Sequence, residues 1–378
     1  MTTHVFIIDA TTFKYHLEYQ FVGTGMKDIA IDFNNDSNTI HKAQTENTIL
    51  GMIADFSRVQ IEDLVIFYLQ QNFQQGIYEG KFYGVFKIKS LTFLDNNDEQ
   101  QFLKDKLQKS LTFRCLIEPC SVYAQGVTEW EALDEIKYIH SPNQMLWSLI
   151  YRKLKGNRGN TMITIYESER LIKLIRDKNS RQVLDGQNFS FDLATQTIIT
   201  TQNKQNYNGR QESINILPRL IQKYKKKNQF EAHLQAYILQ HFYKTQLFGI
   251  LANENIEWLG NEVSCGVGMQ RIDIMACIKE QGTNPKKIIP IELKSKPIYP
   301  SILTQVQRYI DWLEQYYIPN CVSDIQPMII CRQTNKNSKD YIEFQQKCKI
   351  FNQHNNILPL CYIEFAITDK EISFEKVF

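Results

Sequence analysis

No apolar run in this sequence approaches the roughly 18 residues that a membrane-crossing helix needs, so no span of that kind is expected. The first residues, MTTHVFIIDATTF, have no basic stretch leading into an apolar core, and no signal peptide is expected. Charge of one sign is also missing. The formal net charge is +2, so a global basic field cannot carry an argument for nucleic acid, and only local patches can. The 8 cysteines form no CxxC pair, and no histidine stands at zinc-finger spacing. Several lie inside apolar runs (IMACI, PMIICR, LPLCYI), where a reduced thiol behaves as a small hydrophobe. That usage points to a reducing, cytoplasmic setting without structural zinc. There is no internal repeat, and the surplus of Asn and Gln is spread evenly, as a composition bias would spread it. What remains is ordinary globular material: 378 residues, 43% hydrophobic and 22% charged, enough for two or three domains.

The N-terminal part reads as strand-rich. HVFIIDA, DLVIFYLQ, YGVFKIKSLTFL and TFRCLIEPCSVY are short β-branched and aromatic runs between turn residues. Helical patterns interrupt them at TENTILGMIADF, NQMLWSLIYRKLK and TIYESERLIKLIRDK, which suggests a small barrel decorated with helices. From residue 179 the texture turns polar with weak strand signals, as in an inter-domain connection, and a basic segment, PRLIQKYKKKNQF, follows. Its Arg219, Lys223, Lys225, Lys226 and Lys227 fit a solvated helix face or a phosphate-contacting strip. The expected boundaries are 1–178 for a recognition domain, 179–222 for the connection and 223–378 for a catalytic domain. In the last part a helix, FEAHLQAYILQHFYK, precedes three strands, then helix, strand, helix and a strand pair: the layout of an α/β nuclease core.

Two of those strands keep charge in apolar surroundings. QRIDIMACI holds Asp273, and IIPIELKSK holds Glu292 and Lys294. An unpaired buried carboxylate costs several kcal/mol, so one that persists there is paired or bound to a cation. Alternation along a strand puts Glu292 and Lys294 on one face, and an adjacent antiparallel strand brings Asp273 beside Glu292. Oxygen donors of this kind suit Mg2+ or Mn2+, which activate water against a phosphodiester, with an ammonium to orient that water. The ordinary alternative is an ion pair on an exposed hairpin.

This constellation resembles the PD-(D/E)XK nuclease superfamily, with Asp273 followed by Glu292-Leu293-Lys294, and Ile272 where the motif has Pro. More narrowly, WLGNEVSCGVGMQRIDIMACI, IIPIELKSKP and TQVQRYIDWLEQ resemble the catalytic domain of the NucS/EndoMS-type endonucleases over residues 229–370. The resemblance implies a metal held by Asp273 and Glu292, supporting roles for Glu231 and Gln305, and nucleic-acid contacts from Arg271 and Tyr309. Glu231 is equally well read as a helix N-terminal acid favoured by the macrodipole. Met269 and Gln270 separate Gly268 from Arg271, where the family has Gly directly before Arg.

The N-terminal runs DLVIFYLQ and YGVFKIKSLTFL resemble PUA-like modules of the EVE, YTH and ASCH type, small folds that seat a flipped or modified base. Candidate pocket aromatics are Tyr68, Tyr83, Trp130 and Trp147, with core packing as the plain alternative for each. YRKLKGNRGNT offers Arg152, Lys153, Lys155, Asn157, Arg158 and Asn160 around two glycines for backbone contact. The expected whole is an α+β PUA-like barrel plus an α/β restriction-endonuclease-like domain with a mixed central sheet. It would act on double-stranded DNA with Mg2+ or Mn2+, as a homodimer if both strands are cut. A mismatch-type repair endonuclease and a non-catalytic RNA- or DNA-binding protein are the rival expectations.

Overall fold

A computed structural model describes residues 2–25, 30–31, 33, 43–138, 159–251, 254–265, 270–280, 286–318 and 322–378. The chain divides into two compact units, Met1–Asp32 with Gly51–Ile214, and Phe33–Leu50 with Asn215–Phe378. Both combine helices with a mixed sheet, so the protein is α+β throughout.

The first unit contains β1 (Thr3–Ile8), α1 (Ala10–Glu18), β2 (Phe21–Thr24), the later part of α2 (Ala43–Ser57), β3 (Leu64–Leu69), β4 (Lys81–Ile88), β5 (Phe93–Leu94) and α3 (Lys104–Leu107). It continues with β6 (Phe113–Pro119), β7 (Val127–Thr128), α4 (Glu129–Asp134), β8 (Asn160–Ile163), α5 (Ile165–Lys178), β9 (Phe189–Asp192) and β10 (Thr197–Thr200). Its main sheet runs β2-β6-β4-β3-β1-β8, with β1 and β3 parallel and the other neighbours antiparallel. The expected barrel is an open, curled sheet among the described residues. Its edges nonetheless approach: a Cβ on Gly159, just before β8, would lie 2.0 Å from Thr24 Oγ1 on β2. Inside the curl, Phe13 of α1 meets Phe67 at 5.2 Å, Tyr83 at 5.3 Å and Phe191 at 4.6 Å between ring centroids. Thr128 and Thr164 start α4 and α5 with reciprocal capping boxes to Glu131 and Glu167, satisfying backbone donors that would otherwise be orphaned.

Residues 179–214, read from the sequence as a connection, belong to this unit. The hairpin β9–β10 buries Phe189, Phe191 and Ile198, and that apolar area holds a segment whose flanks are polar.

The second unit contains the start of α2, then α6 (Leu217–Lys225), α7 (Glu231–Thr245), β11 (Asn255–Ser264), β12 (Arg271–Lys279), β13 (Lys287–Pro297), α8 (Ile302–Trp312), β14 (Met328–Arg332), α9 (Lys339–His354), β15 (Cys361–Ile367) and β16 (Ile372–Lys376). Its sheet runs β11 to β16 in sequence order. β13, β14 and β15 are parallel, so α8 and α9 are the crossovers that parallel neighbours require. β14 reads MIICR with its first four residues buried, the near-continuous apolar run of a parallel strand covered on both faces.

Candidate active site

β12 and β13 pair as far as Ile274 opposite Ile291 and then part company. Beyond that point β12 pairs only with β11, through Ile272 and Arg271, while β13 pairs with β14 through Glu292, Leu293 and Lys294. Asp273 and Glu292 are the first residues past the fork. The ladder no longer supplies a partner for the Leu293 N–H, and Asp273 Oδ2 accepts it at 2.8 Å. Glu292 is 0% exposed, with Lys294 paired to its Oε1 and the Tyr309 hydroxyl donating to its Oε2 at 2.6 Å. Tyr309 Oη also lies 2.9 Å from the Arg271 carbonyl oxygen and accepts from Gln305 Nε2 at 2.8 Å, so α8 is fastened to both arms of the fork. From α7, Glu231 Oε2 accepts the Ser295 N–H at 3.2 Å, and its Oε1 stands 3.7 Å from Lys294 Nζ.

One ammonium serves three carboxylates here. Burial and the charge of Glu292 push the Asp273 carboxyl well above its ordinary range. Burial raises Glu292 too, against the pull of Lys294 and Tyr309. Burial alone would lower Lys294, but Glu292 and Glu231 outweigh it and hold the ammonium charged. The site is therefore under-neutralised. Among the described residues no three His, Cys, Asp or Glu side chains form a ready-made metal cluster. The donor set fits a hard cation that keeps most of its waters: oxygen-only, two crowded carboxylates, and a deficit of positive charge.

Two further side chains belong to this place and were not read from the sequence. Gln235 Nε2 donates to the Asp273 carbonyl at 2.7 Å and reaches Glu262 Oε1 at 3.4 Å. Glu262 lies between the pairs Asn261–Ile274 and Val263–Ile272, hence beside Asp273, with a left-handed φ of 51°. It also holds Arg271, whose Nη1 is 2.8 Å from Glu262 Oε2. Spacing alone gives no hint of either residue, because each becomes a neighbour of Asp273 only through the fold.

The other candidates fare differently. Tyr309, expected to touch nucleic acid, is 1% exposed and serves Glu292 instead. Arg271 is part-exposed but paired, and Lys225 is paired with Asp369 at 3.1 Å. Lys226 follows at the end of α6. Tyr68 and Tyr83 are buried side chains of β3 and β4. Tyr68 packs among Val5, Ile66, Phe82 and Leu171 and donates to Glu129 Oε2 at 2.8 Å. Tyr83 donates to the Gln196 carbonyl at 2.7 Å, with Gly126 tight against its ring. Both face the core, where aromatic bulk is needed for packing. Trp130 is 63% exposed on α4. Asn160 is buried in β8, donating to the Asp55 carbonyl at 3.5 Å. Trp147, Arg152, Lys153, Lys155, Asn157 and Arg158 lie outside the described residues. No described helix is long and apolar enough to cross a membrane.

No known family's sequence profile matches the chain, and no curated relative does. Two solved structures are similar in part. The human THYN1 protein, in complex with DNA containing 5-methylcytosine, is 10% identical with a TM-score of 0.26, over 46% of this chain and 97% of that one. The MspJI restriction endonuclease, in complex with a 27-mer oligonucleotide, is 10% identical with a TM-score of 0.21, over 93% of this chain and 72% of that one. Likenesses this slight bear on neither fold nor activity.

Proposed function

We propose that this protein is a metal-dependent DNA endonuclease whose N-terminal unit selects the substrate. The reading takes the second unit as a restriction-endonuclease-like domain and the first as a PUA-like module. It rests on the fork of β12 and β13, where Asp273 and Glu292 are forced together beside Lys294 with too little positive charge to balance them. Mg2+ or Mn2+ held by Asp273 and Glu292 would supply Lewis-acid activation of water and offset charge on the phosphoryl oxygens. Lys294 then orients the attacking water and faces the charge that builds as the phosphodiester P–O bond breaks. Tyr309, fixed by Gln305, keeps Glu292 in place. Glu231 sets the position of Lys294 and the Ser295 backbone. Both strands are cut by two such sites, hence a homodimer.

The same reading makes the N-terminal unit a reader of a modified or extrahelical base in double-stranded DNA, which suits restriction of foreign DNA. The test is cleavage with Mg2+ or Mn2+ of matched duplexes that are unmodified, carry 5-methylcytosine or 5-hydroxymethylcytosine, or hold one mismatch. Wild type runs beside Lys294→Ala. Cutting of modified duplex alone, lost in the variant, supports the reading. Cutting of the mismatched duplex alone moves the protein to repair. No cutting of any duplex, or equal cutting by the variant, overturns the nuclease assignment.

A further inference from the structure

Within the second unit a cavity of about 560 Å³ opens between α6 and the turn joining β15 to β16. Its floor is apolar, from Leu217, Pro218 and Ile221, and its rim carries Lys225, Lys226 and Lys370 against a single acid, Asp369. Lys225 and Lys226 have an ordinary explanation: they stand at the C-terminal end of α6, where the helix dipole favours cations. Lys370 does not. It comes from the β15–β16 turn, whose shape is set by Thr368 through bonds to the backbone of Lys370 and Glu371. Two unrelated elements thus contribute lysines to the lining of one hollow.

Asp369 shows what that hollow accepts. Its carboxylate sits 3.1 Å from Lys225 Nζ with the two side chains 84% and 53% exposed. An ion pair so exposed contributes little and is easily exchanged. An incoming oxyanion can take the place of the carboxylate without any buried charge being stranded. The concavity, the net positive rim and the exchangeable internal anion describe a seat for phosphate oxygens.

We propose that this groove is a backbone track for the DNA substrate, in which Lys225, Lys226 and Lys370 contact phosphodiesters and Asp369 is displaced on binding. The proposal rests on the endonuclease reading for its choice of ligand, but its test reads binding alone. Fluorescence anisotropy of a labelled duplex, with EDTA and across about 50 to 200 mM salt, compares wild type with the double variant Lys225→Gln/Lys370→Gln and with Asp369→Asn. The double variant should bind about tenfold more weakly, and its salt slope should fall by about 2, because two phosphate contacts are gone. Asp369→Asn should bind more tightly than wild type. Melting temperatures should stay unchanged, since all three side chains are at the surface. An unchanged slope in the double variant, or no duplex binding by wild type at the lowest salt, overturns the groove. Inorganic phosphate competing as well as duplex at equal phosphate concentration would also overturn it, as a small-anion site. Failure of the endonuclease reading looks different: wild type would cut no duplex, or Asp273→Asn would cut as fast as wild type, while these slopes behaved as stated.

Discussion

Two of the buried glutamates in the second unit are held in opposite ways. Glu46, at the start of α2, is 2% exposed and has three partners: Arg219 at 2.7 Å, Lys223 at 2.6 Å and His233 at 2.8 Å. Burial would raise its carboxyl, but those hydrogen bonds hold it well below the usual range. Burial lowers His233 more than Glu46 lifts it, so His233 acts as a neutral N–H donor and the positive charge comes from Arg219 and Lys223. Glu292, equally buried, has one ammonium, one hydroxyl and a second carboxylate beside it, and its proton affinity goes up. Glu46 is over-supplied with cations and Glu292 is left short, and on the proposed reading that shortfall is what a metal and a phosphodiester would use.

The largest way to break this contrast is through rate. Lys294→Ala and Asp273→Asn should each lower single-turnover cleavage by about 10³-fold or more, while Glu46→Gln at a temperature where it stays folded should cut at near the wild-type rate. Stability should run the other way. Glu46→Gln should cost about 3 kcal/mol in urea unfolding, because the half-buried Arg219 and Lys223 lose the charge that balances them. Asp273→Asn should stay within about 1 kcal/mol of wild type, on the stabilising side, because it relieves two crowded carboxylates.

Acid should sharpen the difference between structural groups. Glu46 has a depressed carboxyl, so its contribution is present above the ordinary value of 4.5 and is lost as pH falls below it. In the first unit His16, fully buried with Nδ1 donating to the Phe21 carbonyl at 2.9 Å, is pushed down by burial from 6.5 to about 4. Between those values the unfolded chain binds a proton that the folded chain refuses. Stability should therefore fall by about 2 kcal/mol between pH 7 and pH 5, and His16→Phe should flatten that fall in urea titrations at the two pH values. The smallest effect concerns position. Tyr309→Phe removes only the hydroxyl on Glu292 and should lower cleavage about tenfold, with a weaker apparent Mg2+ affinity and unchanged duplex binding.

The gathering of Asp273, Glu292 and Lys294 was legible because they interrupt apolar strands, and a charge in such a run needs a reason; that β12 and β13 part there instead of pairing across was not. Gln235 and Glu262 carried no such mark, since one lies in a helix and the other in a half-exposed strand. The Glu46 cluster was hidden by distance along the chain, since Glu46 and His233 are 187 positions apart. For Tyr68 and Tyr83 the sequence left core packing and a pocket side by side, because an aromatic on a strand looks the same in either place, and burial puts both in the core. The β9–β10 hairpin was missed because two short apolar pairs are diluted by polar flanks, and only burial against Phe13 gives them weight. The secondary-structure order of the second unit could be read because long periodic segments dominate it. Whether the first sheet closes, as the expected barrel would, could not be read, because closure depends on which edges meet.

The central claim, that the under-neutralised fork takes a cation and the over-neutralised cluster does not, is tested most directly by Mn2+ binding without DNA. Electron paramagnetic resonance titration would compare wild type, Asp273→Asn and Glu46→Gln, each checked for folding. The account predicts binding by wild type and by Glu46→Gln, and its loss in Asp273→Asn. Equal binding by all three, or binding that disappears only in Glu46→Gln, would contradict it.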